Sequence, residues 1–421
     1  MRTRLALLVW SVAALAGDWP QWRGAGRDGV ATGLERKGAW PALERVWERI
    51  AGGGYSGPVV VGDRVWVHAR RGKREVVACL RLKDGQLLWE QENEAPFVQD
   101  RSARAHGEGP FSTPALAGGR LFTYGMTGVL SVWEAATGQL LWRKESGREF
   151  QWAYSYFGTA QSPLIWNNLC LIHLGGHRRT DDSAAAGAMV ALRVEDGKEV
   201  WRWPGQPPCG ASPVIAMVGG EPHLVLKTSR DIFGLDARTG STLWRVDWPV
   251  TEDNTIVTPF IVGENLITSD YDKGVVAWHI EKQGTEWSAR PLWKHRGASM
   301  MMSSPVMVNG VLAGFSHFHK GEMFGLDPES GRLLWRDQSR SGEHASVVCW
   351  GRDLLVFLED GRMLAGRASR NGFQVERTYT LSAAATWAHP AVTDTHVIVR
   401  AGDKIAAYAW SGFKTSVSAK E

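Results

Sequence analysis

The stretch Asp84-Gly85-Gln86-Leu87-Leu88-Trp89 returns as Thr137-Gly138-Gln139-Leu140-Leu141-Trp142 and as Asp196-Gly197-Lys198-Glu199-Val200-Trp201. It returns again as Thr239-Gly240-Ser241-Thr242-Leu243-Trp244 and Ser330-Gly331-Arg332-Leu333-Leu334-Trp335, always with Trp four residues after Gly. Asp-Gly, Thr-Gly or Ser-Gly between apolar runs makes a tight hairpin in which Gly takes the positive φ that other residues resist. The strand after the turn then carries an indole at a fixed register. Burying such a ring stabilises by on the order of 3 kcal/mol, judged from truncation costs. Periodicity of this kind marks a repeat architecture.

A second marker precedes each copy. A small or hydroxyl residue and a Pro open an inner strand at Gly57-Pro58, Thr113-Pro114, Ser162-Pro163, Ser212-Pro213, Thr258-Pro259, Ser304-Pro305 and His389-Pro390. Pro is tolerated at the first residue of a strand, where its missing N–H costs no ladder bond. The unit around Ala345-Ser346-Val347 lacks the Pro, and with it there are eight starts. Val276 to Trp287, with Gly284, and Met363 to Val375, with Gly372, read as degenerate copies. The last unit ends at Trp410-Ser411-Gly412 without an outer strand, whereas Glu44-Arg45-Val46-Trp47-Glu48-Arg49 has the aliphatic-Trp step and no preceding hairpin. The expectation is an all-β, eight-bladed β-propeller of four-stranded antiparallel blades, with seven blades as the alternative. Residues 44–50 would donate the outer strand of the last blade and so remove the open sheet edge.

The Gly-x-x-aliphatic-Trp copies, preceded by segments such as Gly325-Leu326-Asp327, resemble the repeats of the PQQ-like, or quinoprotein-type, β-propeller superfamily. The resemblance runs from about Trp40 to Gly412. The leader Asp18-Trp19-Pro20-Gln21-Trp22-Arg23-Gly24 is similar to the start of exported bacterial PQQ-like propellers. The superfamily also holds the periplasmic scaffold propeller of outer-membrane assembly and the pyrroloquinoline-quinone (PQQ) alcohol dehydrogenases. The dehydrogenase pattern does not carry over. It has a vicinal Cys pair and a Glu, Asn and Asp set around Ca²⁺, but no two cysteines here are adjacent and no segment matches that set. The resemblance therefore implies the fold and leaves function to the site.

Composition agrees with many short strands. The 421 residues include 48 Gly and 22 Trp, and 48 basic residues nearly balance 44 acidic ones. With no basic block, nothing supplies the electrostatic footprint of a nucleic-acid partner. Arg2, Arg4, the apolar run Leu5 to Ala14 and Ala14-Leu15-Ala16 read as a signal peptide, residues 1–16. A leader (17–43), the propeller (44–412) and a tail (413–421) would follow, in a monomer exported to the bacterial periplasm or beyond. No stretch is long and apolar enough for a transmembrane helix. Cys79, Cys170, Cys209 and Cys349 follow no metal-ligand spacing and mostly read as small buried hydrophobes; the sequence does not pair them.

Loops joining blades, and those joining second to third strands, share one face of a propeller, and every long insertion is of these kinds. The candidate binding face comprises Trp152, Tyr154, Tyr156 and Phe157, then His177 and Arg178, then Asp270, Tyr271, His317 and His319. Residues ahead of the strand openings, Gln161, Met302, Glu343, His344 and His389, are expected at the channel mouth. Glu343 and His344 suit acid–base chemistry, but no nucleophile accompanies them. Two imidazoles at His317 and His319 suit a metal, but no carboxylate or Cys stands at a completing spacing. The reading is a non-catalytic scaffold binding a protein or polysaccharide on the loop-rich face, without cofactor. The alternatives are a PQQ- and Ca²⁺-dependent oxidoreductase and a carbohydrate-binding propeller.

Overall fold

The aliphatic-Trp step docks five of the blades on the turn glycine of the next, whereas Trp244 Nε1 donates to His223 Nδ1 of its own blade and Gly284 of the following blade has nothing against it. The computed structural model describes residues 17–31, 36, 38–98, 105–146, 149–150, 158–176, 186–228, 230–249 and 255–411. The expected signal peptide, the C-terminal tail and the candidates Trp152, Tyr154, Tyr156, Phe157, His177 and Arg178 lie outside the described residues. Trp47 Nε1 donates to Leu82 O, Trp89 to Ala135 O, Trp142 to Val194 O, Trp201 to Ala237 O and Trp293 to Pro328 O. Each acceptor lies three residues before the turn Gly of the following blade. The indole covers that Gly so closely that a Cβ on Gly138 would stand 2.5 Å from the Trp89 ring, and one on Gly85 2.7 Å from Trp47. Both halves of the repeat are thus one contact, with Gly required by positive φ and by the ring above it.

The described strands form eight sheets, six of which are runs of consecutive hairpins. In the first blade these are Val59–Val61, Arg64–Arg71, Arg74–Arg81 and Leu87–Glu94. Ala42–Ile50 pairs antiparallel with Lys404–Ser411 and completes the eighth blade. Trp47, on that N-terminal strand, makes the docking contact to the first blade and closes the ring.

Two units depart from expectation. In the fifth blade the hairpin Gly274–Gln283 with Glu286–His295 is longer than its counterparts, so the docking ring is Trp293 and not Trp287. Trp287 instead meets His223 edge-on at 4.3 Å. In the seventh blade, Val347 stands where the other units have Pro, and the inner strand extends over Ala345–Trp350. Its inner edge pairs in parallel with Val30–Ala31 of the leader, giving this sheet five strands in place of four.

The hydroxyl-Pro marker also has a structural reason. Thr113 Oγ1 accepts the backbone N–H of Gly57, Ser162 Oγ that of Thr113, Ser212 Oγ that of Ser162, and Ser304 Oγ that of Thr258. Each hydroxyl ties its blade to the preceding one at the same level of the channel. The N–H groups bonded this way are buried and would otherwise be orphaned.

Replacing Trp89 with Ala should cost about 3–5 kcal/mol in denaturation experiments. Gly138→Ala should destabilise the wild type but do so less in the Trp89→Ala background, because the ring it strikes is gone. The control Gly62→Ala meets open space and should show only the positive-φ cost, about 1–2 kcal/mol.

Candidate functional site

The leader, which as sequence looked like a mere approach to the propeller, fills its channel. Asp18 accepts a bond from Gly62 N at a first-to-second-strand hairpin, and Trp19 pairs with Val60 on the innermost strand. Pro20 O accepts from Leu116 N, and Trp22 Nε1 reaches Thr258 Oγ1 at the level of the strand-opening prolines. There the chain turns. Arg23 donates to Pro305 O and Arg27 to Ser162 O and Pro163 O, from opposite sides of the loop. The chain then descends, with Gly29 O accepting from Cys349 N, and Arg36 pairs with Asp353 beyond the inner strand of the seventh blade. The leader therefore enters and leaves on the hairpin face and caps the channel below the loop face.

Above this plug lies a cavity of about 260 Å³, close to the lower end of the roughly 300–1,000 Å³ typical of ligand sites. Trp22 and Arg23 contribute to its lining from the leader, and Met302, Glu343, His344 and His389 line it as well. Gln161 does not; it is buried and donates to His173 O. Further aromatic rings, Tyr55, Phe111 and Trp387, come from linkers between blades. Trp387 stacks on His344 at 5.5 Å and on Tyr55 at 5.9 Å, and Tyr55 stacks in turn on Phe111 at 5.2 Å.

Electrostatics inside are unusual. Burial, only partly offset by Asp28, lowers Arg23 to about 10, and burial reinforced by the like charge of Arg23 lowers Arg27 to about 9. Both remain cationic at neutral pH. Both also hold positive φ, 58° and 56°, which is uncommon for residues other than Gly. Burial pushes His344 down to about 4 and His389 to about 3, so both are neutral rings at pH 7.

Other expected residues fall differently. Asp270 is not on an exposed face: it is 1 % exposed and bonded to the buried Lys227 and to Trp248. Its short side chain at the end of a strand points inward, where Lys227 supplies the countercharge. Tyr271, 48 % exposed, stacks on His317 of the next blade at 4.6 Å, so these two loop residues are brought together. His319 turns away toward Glu322, and His317 bonds Ser299 O. The two imidazoles do not converge, and no group of three or more His, Cys, Asp or Glu among the described residues could hold a metal ion. The four thiols are free, with Cys79, Cys170 and Cys349 buried. Nothing in the repeat pattern pointed to Trp22, Arg23 or Trp387. The one available signal was the pair Arg23 and Arg27, spaced four apart in a Gly-rich leader.

A family model described as "Outer membrane protein assembly factor BamB" matches residues 73–292 and 230–412. The chain belongs to this family of PQQ-like propellers. Outer membrane protein assembly factor BamB of Burkholderia pseudomallei (strain K96243) is 26% identical over 359 residues, spanning 76% of this chain and 86% of that protein. Quinohemoprotein alcohol dehydrogenase ADH-IIG of Pseudomonas putida is 23% identical over 274 residues, 60% of this chain but only 35% of the dehydrogenase. Among solved structures, BamB from Moraxella catarrhalis superposes with a TM-score of 0.62 at 15% identity, covering 89% of this chain and 99% of that one. Quinohemoprotein alcohol dehydrogenase from Comamonas testosteroni gives 0.63 at 14% identity, covering 96% and 82%. These likenesses reach the fold.

The cavity residues do not fit the quinone. PQQ is a tricarboxylate, whereas among the described residues Arg23 is the one Arg or Lys in the lining and Glu343 adds an exposed negative charge. Cys209 lines the cavity between Pro208 and Gly210, with no adjacent thiol, and among the described residues no group of three or more His, Cys, Asp or Glu accompanies it.

The buried histidines set a pH dependence. In the unfolded chain they take up protons near 6.5, whereas folding holds His173 and His344 to about 4 and His389 to about 3. The unfolded state thus binds more protons between these values, and stability should fall as pH drops from about 6.5 toward 4. Denaturation midpoints across that range should show the slope, and His344→Phe should flatten it.

Proposed function

We propose that the chain is an exported, non-catalytic scaffold that binds a protein partner on its loop-bearing face, with the plugged channel as the central socket. The observation that carries this reading is the leader. It occupies the channel that would otherwise run through the ring and leaves a cavity walled by the blade linkers and strand openings. The assembly-factor names of the BamB relatives support a role in protein assembly, and loops on a rigid scaffold are where binding surfaces concentrate. No described helix is long and apolar enough to cross a membrane, which agrees with a partner met outside the bilayer. A polysaccharide would need free ring faces. Of the lining rings, Tyr55 is stacked on both Phe111 and Trp387 and so offers a sugar little free face.

A photo-crosslinking residue in place of Tyr271, on the loop face, should give a discrete protein adduct in intact bacterial cells. The same residue in place of Leu140, beside a hairpin turn on the opposite face, should give none. Equal labelling from both faces, or from neither, would contradict the proposal. Purified protein given PQQ and Ca²⁺ should show no dye-linked alcohol oxidation, and turnover would overturn the non-catalytic reading.

A further inference from the structure

The plug carries two buried guanidinium groups that no carboxylate bonds, and Asp28 only partly offsets the burial of Arg23. Neither Arg23 nor Arg27 forms an ion pair among the described residues, and Nε and Nη1 of Arg23 have no hydrogen-bond partner. Burying a cation without a countercharge is costly, and such cations ordinarily pair or coordinate. Of the two, Arg23 lines the cavity.

The wall around it is rich in donors. Ser162, Ser212 and Ser304 line the cavity and spend an oxygen lone pair on a backbone N–H of the preceding blade, which leaves each O–H proton to donate. Thr255 Oγ1, also in the lining, is buried without a partner. The wall also has apolar members, among them Ile256, Met301 and Trp387. Among the described residues Glu343 is the one carboxylate of the lining, and it is exposed.

We propose that this cavity is a site for a single carboxylate carried on an apolar body, received at Arg23 and the hydroxyl belt, as at the C-terminal residue of a peptide. One unpaired guanidinium matches one carboxylate, the hydroxyl protons satisfy its remaining lone pairs, and the apolar wall takes the attached side chain. Main-chain carboxylate capture is a known mode of peptide recognition. The inference rests on the reading of the loop face as the binding face, since a terminus reaches the cavity from that side. A free monocarboxylic acid presents the same chemistry.

Calorimetric titration of the purified protein at neutral pH with acetyl-Ala-Ala-Phe, as free acid and as C-terminal amide, and with 2-naphthoate tests it. The acid peptide should bind at least tenfold more tightly than the amide. Arg23→Gln should weaken acid binding at least tenfold, with Arg23→Lys retaining part of it. Peptide acid binding more tightly than naphthoate marks a chain terminus as the ligand, and the reverse order marks a free acid. Equal binding of acid and amide, no binding of any acid at millimolar concentration, or full binding by a folded Arg23→Gln would overturn the site. The acid–amide comparison needs no variant, so a misfolded Arg23→Gln does not blunt the test. Face-specific crosslinking at Tyr271 without carboxylate binding would sink the site and leave the scaffold reading intact. Carboxylate binding without crosslinking would do the converse.

Discussion

A Trp ring lying over the bare Cα of the next blade's turn glycine is the contact on which the ring depends. It recurs from Trp47 on Gly85 to Trp293 on Gly331, and each time the indole N–H also finds a backbone carbonyl. The contact has one direction, from a blade to its successor's glycine, and five junctions carry it, with the N-terminal strand bearing Trp47 supplying the one that closes the ring. Where the contact is lost the protein substitutes something else. At the junction of the seventh and eighth blades Arg377 takes the place of the docking ring and donates to Trp40 O. Trp40, Trp350 and Trp410 pack together there, with Trp350 and Trp410 stacked at 5.0 Å.

Closing the ring from the N-terminus has a consequence for the channel. The strand that completes the eighth blade begins at Ala42 on the outer edge of its sheet, so the leader must cross from the channel to the rim to reach it. Threading it through the channel satisfies inner-strand backbone groups that would otherwise face the bore, including Leu116 N and Cys349 N. It also buries two arginines at left-handed backbone positions, a cost that points to use rather than packing. The result is a scaffold with unlike faces, one of hairpins and one with a donor-lined recess.

Blade number and N-terminal closure were legible because a repeat writes its contacts into a fixed register, and the same register set Met302, Glu343, His344 and His389 ahead of the strand openings. The fifth blade was misread because a longer hairpin moves the docking ring from Trp287 to Trp293, and spacing was the only guide. Asp270 was misplaced because a polar residue at a strand end resembles a loop residue until its countercharge, Lys227, is located on a neighbouring blade. The plug was invisible for a deeper reason. Trp22 and Arg23 occur once, make contacts hundreds of residues away in sequence, and follow no periodicity that could betray them.

Hydrogen–deuterium exchange of a peptide spanning residues 17–31 tests the central claim most directly. The leader's bonded amides, among them Trp19 N to Val60 O and Gly29 N to Arg23 O, should exchange as slowly as those of the inner strands. Exchange at the rate of an open loop would mean that the leader does not occupy the channel and that the cavity has no floor.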